Sequence, residues 1–345
     1  DFHPLRDGLT FDRHLDQHGV ADITDDGWRV RTLAVRDAVR LGEKGVPLLI
    51  ESLSGENEHV RQVAAMALGI LRAAPAVASL AERLRTDSDE TVRSQAAVAL
   101  GQIGEDAALE VLRERAEKDG SRDVRHQCEI SLYEIENGIS PGEDLPAAYA
   151  SLDENDFRQV NEGQPALDFE LEDTNGRKWR LSDFRGEKTV VLIWIFADWC
   201  PVCHREFQDL IRLREEFEKE DIQVFTIECH DRFRSRVMAG DEMHPKYWFS
   251  KDESPQASYG DARWWPHLVD LACGVGATYG VDPMQFVVHA ERINRPATVI
   301  VNKEGIVRLN YRGTYWGDRP SIEETLDMIR NDDFSFEHPE RRKVE

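Results

Sequence analysis

A dipeptide, Val-Arg, returns at Val30-Arg31, Val60-Arg61, Val92-Arg93 and Val124-Arg125, every 30 to 32 residues. The residues after it recur as well. Val60-Arg61-Gln62-Val63-Ala64-Ala65-Met66-Ala67-Leu68-Gly69 matches Val92-Arg93-Ser94-Gln95-Ala96-Ala97-Val98-Ala99-Leu100-Gly101. Self-similarity at this period marks a chain built by stacking one supersecondary unit. Each unit reads as two helices. The first carries Ala at close-packing positions and stops near Gly69 or Gly101. The second is shorter, as in Val77–Leu84 and Ala107–Ala116, with apolar residues three and four apart. One such pair cannot bury its own apolar face, whereas a stack of pairs shares a continuous core. The fourth copy, Val124 to Leu132, carries Cys128 where the others carry Ala, and this thiol reads as a core residue.

Residues 28–137 resemble HEAT repeats, in the short Ala-rich form of the phycobilisome-lyase-like group. The resemblance implies an extended face that binds a protein partner. Residues 1–27, polar and without period, read as an N-terminal arm or cap. Residues 138–162 hold Gly138, Pro141, Gly142 and Pro146 among acidic residues and read as a linker, with a short helix expected over 147–157.

From residue 163 strands alternate with helices, the pattern of an α/β domain running to 332, with a polar tail over 333–345. Ala166–Leu171 and Lys178–Leu181 flank Thr174-Asn175-Gly176 and predict a hairpin. Thr189–Phe196 is a continuous apolar run, as a buried central strand requires. A helix over Cys203–Lys219, a second buried strand at Ile222–Ile227, a strand pair at Ala297–Asn302 and Val307–Tyr311, and a final helix at Ser321–Ile329 complete the domain. A long aromatic insert, 231–270, interrupts it. That insert carries His244, Tyr247, Trp248, Phe249, Trp264, Trp265 and His267, which predict a lid over the strand ends.

The central strand runs into Trp199-Cys200-Pro201-Val202-Cys203 at a helix start. The first N–H groups of a helix lack intrahelical partners, and its dipole favours negative charge there. Cys200 at that point is expected to have a lowered thiol pKa and to be the nucleophile. Cys203, one turn inside the helix, is placed to close a disulfide with it and to resolve a mixed disulfide. There is no second C-x-x-C pair with which to build a closed zinc site. The expected redox group is therefore the Cys200–Cys203 disulfide itself, with no other cofactor and no metal.

Gly163-Gln164-Pro165-Ala166-Leu167-Asp168-Phe169, Leu181-Ser182-Asp183-Phe184-Arg185-Gly186 and the Trp-Cys-Pro-Val-Cys segment resemble the redoxin branch of the thioredoxin superfamily. That branch holds AhpC/TSA-type peroxiredoxins and TlpA/ResA-like thiol-disulfide oxidoreductases. The resemblance implies a thioredoxin-like α/β/α sandwich, so the fold class expected for the whole chain is α + α/β. Peroxiredoxins keep Pro and Thr or Ser seven and three residues before their reactive Cys, where this chain has Ile193 and Ala197. Where they keep an Arg before the late strand, this chain has Pro296, which is similar to the cis-proline of thioredoxins. The resemblance thus implies disulfide exchange with protein disulfide or dithiol substrates, docked by Arg295, Pro296 and Trp199. A thiol peroxidase is the alternative. Thioredoxins place a buried Asp six residues before the first Cys; here that position is Trp194, and Glu228 is the expected substitute base.

Parallel strands of such a sheet end at one edge, so Cys229 and His230, after Ile222–Ile227, are expected near the dithiol as accessory groups. Cys229 could instead complete a soft-metal site with Cys200 and Cys203 in a non-enzymatic adaptor. Cys273 is expected to be a buried thiol or a further resolving group. Five cysteines in 345 residues are no disulfide framework. A net charge of −23 argues against binding nucleic acid or an anionic membrane. No run of apolar residues is long enough to span a bilayer. No leader is visible, but the sequence starts at Asp rather than Met, and the TlpA-like resemblance tilts the expected location outside the cytoplasm.

Overall fold

The computed structural model describes residues 27–140, 144–242, 259–281, 283–285, 292–313 and 317–338. The chain divides into two compact units, the first holding residues 1–154 and 284–292 and the second the remainder.

The first unit is helical. Its elements are α1 (Gly27–Arg40), α2 (Val46–Ser52), α3 (Glu58–Ile70), α4 (Val77–Thr86), α5 (Glu90–Ile103), α6 (Leu109–Lys118), α7 (Arg122–Glu136) and α8 (Leu145–Ala150). The long helices α1, α3, α5 and α7 carry the Val-Arg repeat and stack in order. Asn57, Asp89 and Ser121 cap α3, α5 and α7, their side chains accepting backbone N–H groups of the first turn. Small residues set the spacing between helices. A Cβ added to Gly69 would lie 2.7 Å from Ala99 Cα, and one added to Gly101 would lie 2.8 Å from Ser131 Cβ. Ala64, Ala67, Ala96 and Ala99 are wholly buried, and so is Cys128, whose thiol is pushed up by burial.

The repeated Arg explains the period. Arg61 grips Asp87 with two bonds, 2.7 and 2.9 Å, and Arg93 grips Asp119 with two at 3.0 Å. The other nitrogen of each guanidinium closes its own loop, Arg61 on the carbonyls of Gly55 and Glu56 and Arg93 on those of Asp87 and Ser88. The second repeat is therefore bolted to the third, and the third to the fourth, by one bidentate pair each. The short helix α8 starts earlier than the sequence suggests, at Leu145. It docks on α1, where Arg40 donates to the carbonyls of Ala150 (2.9 Å) and Leu152 (3.1 Å).

The second unit contains β1 (Glu170–Asp173), β2 (Lys178–Arg180), β3 (Thr189–Trp194), α9 (Pro201–Arg212), α10 (Arg214–Lys219), β4 (Ile222–Glu228), α11 (Arg232–Ala239) and β5 (His267–Val269). Along the chain α12 (Gly274–Tyr279) follows, then the short strands β6 (Pro283–Gln285) and β7 (Arg292–Asn294), whose residues 284–285 and 292 belong to the first unit, then β8 (Ala297–Val301), β9 (Val307–Arg312) and α13 (Ile322–Asn331). Seven strands form one sheet in the order β2-β1-β5-β4-β3-β8-β9. β3, β4 and β5 are parallel, so their C-terminal ends share an edge, while β8 and β9 are antiparallel to their neighbours. This sheet order, with a central parallel strand feeding a helix, is that of a thioredoxin-like domain. Val191, Leu192 and Trp194 of β3 are fully buried between Phe225 and Ile227 of β4 and Val299 of β8.

The insert is not a simple loop. It contributes α11 and the extra parallel strand β5, and of its described aromatics Phe233, Tyr259 and Trp265 are buried and Trp264 is half-buried. Trp265 stacks edge-on to Phe207 of α9 at 5.1 Å and Trp264 meets Phe217 at 5.9 Å. The predicted lid is corrected for these residues: large apolar rings lower the free energy most by covering α9 and α10, not by standing over the strand ends. His244, Tyr247, Trp248 and Phe249 lie outside the described residues.

Arg61→Met should destabilise the helical unit by about 3 kcal/mol, because it takes the bidentate partner from a carboxylate that is 1% exposed and leaves it only Arg83, 3.8 Å away. Adding Asp87→Asn, which keeps the acceptor for the Asp89 amide, should recover part of the loss. Urea unfolding of the full chain monitored by circular dichroism measures both.

Candidate active site

Cys200 is the N-cap of α9, with extended backbone (φ −76°, ψ 117°), and Pro201 occupies the first helical position. Cys203 lies one turn inside. Both are free thiols, and both are buried, Cys200 at 1% exposure and Cys203 at 0%. The Cys203 sulfur accepts two N–H bonds, from the Phe196 amide (3.3 Å) and from Arg319 Nη2 (3.1 Å). Arg319 also donates Nη1 to the Trp194 carbonyl (3.3 Å), and its Nε lies 2.9 Å from Glu206 Oε1. Arg319 and Glu206 are groups that sequence reasoning missed. Glu206 sits three residues beyond Cys203, hence on the same face of α9, a spacing that sequence could have revealed.

These contacts reverse the expected charge order. Burial disfavours ionising either sulfur. For Cys203 it is outweighed by the hydrogen bond from Cys200, by the Arg319 charge and N–H, and by the Phe196 amide, and its thiol is held well below the ordinary range. Cys200 is pushed well above that range by burial, by its hydrogen bond with Cys203 and by the negative Cys203 sulfur. The expectation that the helix terminus lowers the Cys200 pKa is thus corrected: the dipole is diffuse, whereas Arg319 is a full charge in contact with the other sulfur. Glu206, buried, has its carboxyl pushed up to about 8 by desolvation, against the pull of Arg319.

Around the pair, Trp199 is 5% exposed and meets Phe196 edge to face at 5.6 Å. Asp198 is held by Arg234, whose Nε donates to Oδ2 at 3.2 Å. His204 contacts the Asp198 carbonyl through Nε2 and the Tyr259 hydroxyl through Nδ1, both at 2.6 Å. Burial keeps this imidazole neutral, and a carbonyl only accepts, so Nε2 carries the hydrogen and Nδ1 accepts from Tyr259.

Glu228 does not serve the dithiol as predicted. Its two oxygens are taken by His230 Nδ1 (2.6 Å) and His267 Nε2 (3.0 Å), and His267 Nδ1 meets Thr226 Oγ1 at 2.8 Å. Although burial opposes ionisation, the two histidines hold the Glu228 carboxyl well below the usual carboxylate range. Burial and Arg234 oppose protonation of His230, yet its bond to Glu228 raises it to about 10. Asp198, Glu228 and His230 bring ligand atoms within 4.8 Å of one another, but Arg234 and His267 already occupy the carboxylates. The sulfurs of Cys200, Cys203 and Cys229 do not gather into such a set. Cys229 is 3% exposed, and Cys273, in left-handed backbone (φ 54°), places its sulfur 3.9 Å from Asn294 Oδ1.

Arg295 and Pro296 are both buried. The Arg295–Pro296 bond is trans, not cis as expected: β7 leads directly into β8, and the Pro296 carbonyl accepts the Gly313 amide at 2.7 Å as part of that extended path.

Residues 162–310 match the AhpC/TSA family model, and residues 20–100 and 86–133 match the HEAT-repeat model. The C-terminal domain is therefore a redoxin domain and an oxidoreductase, joined to HEAT repeats at the N-terminal side. Among similar proteins, thiol-disulfide oxidoreductase ResA of Bacillus subtilis is 27% identical over 155 residues, 45% of this chain and 69% of that protein. Thioredoxin-like protein YneN of the same organism is 25% identical over 171 residues, 49% of this chain and 81% of its own length. The chloroplastic 2-Cys peroxiredoxin BAS1 of Arabidopsis thaliana is 25% identical over 181 residues, covering 52% and 61%.

The Glu228–histidine network makes stability depend on pH from both sides. His230 is raised, so its contribution is complete below about pH 6.5 and is lost as pH climbs through about 10. Glu228 is lowered, so its contribution is present above about pH 4.3 and is lost as pH falls. Calorimetric melting of the redoxin domain should peak between about pH 5 and 6.5, and Glu228→Gln should lower the peak by about 3 kcal/mol and flatten the profile.

Proposed function

We propose that the chain is a thiol-disulfide oxidoreductase acting on protein disulfides or dithiols, with the HEAT repeats supplying the surface that recruits the partner. One observation carries the reading. The Cys200–Cys203 pair stands at the strand-to-helix edge with a sulfur stabilised as thiolate, while the position three residues before Cys200 is Ala197, wholly buried and without a hydroxyl to hold a peroxide.

Cys200 is the sulfur through which the partner is joined, because it stands at the helix entrance and Cys203 lies a turn deeper. In the reducing direction a proton passes from Cys200 to Cys203 and the Cys200 thiolate attacks one sulfur of a partner disulfide. The partner S–S bond breaks, its other sulfur leaves as thiolate, and a Cys200–partner disulfide forms. Cys203 gives that proton to the departed partner thiolate and, now a thiolate itself, attacks Cys200; the mixed disulfide breaks, and the second partner sulfur leaves as thiolate. Two electrons pass from the pair to the partner. The opposite direction uses the same steps reversed. Since Cys200 is 1% exposed, the groups around it must shift for a partner sulfur to reach it.

Cys200→Ser should reduce insulin-disulfide turnover to background. Cys203→Ser should leave Cys200 able to form a stable mixed disulfide with glutathione, seen by mass spectrometry as one added tripeptide. Wild-type peroxide consumption far above that of free thiols, with no insulin reduction, would favour a thiol peroxidase instead.

A further inference from the structure

Arg319 stands in the segment between β9 and α13, within Gly317-Asp318-Arg319-Pro320, which resembles no redox motif. Its side chain is nevertheless 2% exposed. A guanidinium withdrawn from water is tolerated beside an opposite charge, and two groups here can provide one. Glu206 is close, its Oε1 2.9 Å from Arg319 Nε, but burial pushes its carboxyl up to about 8 and so favours the neutral acid. The Cys203 sulfur is better placed, because it collects N–H groups from both Arg319 and Phe196.

The other groups facing this sulfur do not supply a cation. On α9 they are Glu206 and His204, the latter neutral and bonded to Tyr259 and the Asp198 carbonyl. From the end of β3 they are the Trp194 carbonyl, which Arg319 also binds, and the Phe196 amide. Tyr259, from the insert, is a phenol pushed up by burial and by the Cys203 charge, and Cys200 stands at the helix entrance.

We infer that Arg319 is a clamp for the Cys203 thiolate and that it biases the Cys200–Cys203 pair toward its dithiol form, so that the domain readily takes electrons from dithiol partners. The inference rests on the disulfide-exchange reading above and gives that exchange a preferred direction. The clamp is at full strength only when Cys203 carries charge. In the disulfide this sulfur is neutral and Arg319 loses the interaction. An interaction present in one of two states shifts the equilibrium toward that state.

Atoms and electrons balance in two displacements. A partner thiolate attacks Cys200 of the oxidised pair; the Cys200–Cys203 bond breaks and its electron pair departs on Cys203, beside Arg319. The partner's second thiolate attacks the partner sulfur of the mixed disulfide, and Cys200 leaves and takes a proton. The partner dithiol has lost two electrons and closed its own disulfide. Of its two protons one is on Cys200 and one is released, and the pair ends as a Cys200 thiol and a Cys203 thiolate. A low-pKa leaving sulfur speeds the first step as well as favouring its product.

The test is redox equilibration of the full chain in glutathione buffers, together with the ultraviolet thiolate absorbance of Cys200→Ser read against Cys200→Ser/Cys203→Ser. Arg319→Met should lower the equilibrium constant for reduction by about ten- to hundredfold, the loss of a hydrogen bond to a charged group. In the Cys200→Ser background it should also move the thiolate signal to higher pH, and Arg319→Lys should restore part of both. Arg319→Met/Glu206→Gln removes the acid together with the cation, so it leaves no buried charge unmatched and should show the same shift even where the single variant folds poorly. An unchanged equilibrium constant in a folded variant overturns the inference while exchange stands. So does the absence of a Cys203 thiolate signal at neutral pH in Cys200→Ser, which needs no change at Arg319. A wild-type pair that fails to exchange with glutathione overturns the underlying reading itself.

Discussion

The contact between the Arg319 guanidinium and the Cys203 sulfur gathers three parts of the redoxin domain at one point. Arg319 also binds the last carbonyl of β3 and pairs with Glu206 of α9, so the central strand, the helix it feeds and the segment after β9 converge on one cation. Neither partner is free to vary alone. Without an anion the guanidinium would be buried at a cost of several kcal/mol, and without the cation the sulfur would stay protonated at neutral pH. The chemistry of the pair and the packing of its surroundings are therefore one requirement.

The same requirement appears in the helical unit with a different outcome. Asp87 and Asp119 have side chains at most 1% exposed, and each meets its charge in an arginine of the preceding repeat. There the pairs are bidentate and carboxylate to guanidinium, so they fix register between repeats and leave no reactive atom. Around Glu228 two histidines close the charge in the same way. At Cys203 the anion is a polarizable sulfur whose bond to Cys200 can form and break, so its charge comes and goes with redox state. One physical rule gives two structural joints and one reactive centre.

Sequence disclosed what local pattern determines. The 30–32-residue period of Val-Arg implied stacked helix pairs, because helix periodicity and small-residue spacing are written in consecutive residues. The apolar run into Cys200 and Cys203 implied a buried strand leading to a helix entrance for the same reason. What stayed hidden depends on distant residues. Arg319 lies 116 positions from Cys203, and no spacing rule connects a lone arginine before a proline to a dithiol. From consecutive residues the helix dipole alone assigns the thiolate to Cys200. Glu228 was read as a base because its place at the end of β4 was legible, whereas His267, 39 residues further on in an unforeseen strand, was not. The aromatic insert misled for a related reason: Trp264 and Trp265 look like a polar loop's exposed rings until β5 draws them against α9 and α10.

The parallel order of β3, β4 and β5 also brings a cysteine after each strand to one edge, namely Cys200, Cys229 and Cys273. Proximity along an edge does not make these thiols equivalent. Exchange requires that one sulfur carry charge cheaply, which takes a cation or several N–H donors aimed at it. Cys203 has both. Cys273 has its sulfur 3.9 Å from the Asn294 side-chain oxygen, which accepts from the thiol. Cys229 stands between Glu228 and His230, whose charges are turned toward each other. What makes Cys203 reactive is therefore the group presented to its sulfur, and that group comes from the segment after β9.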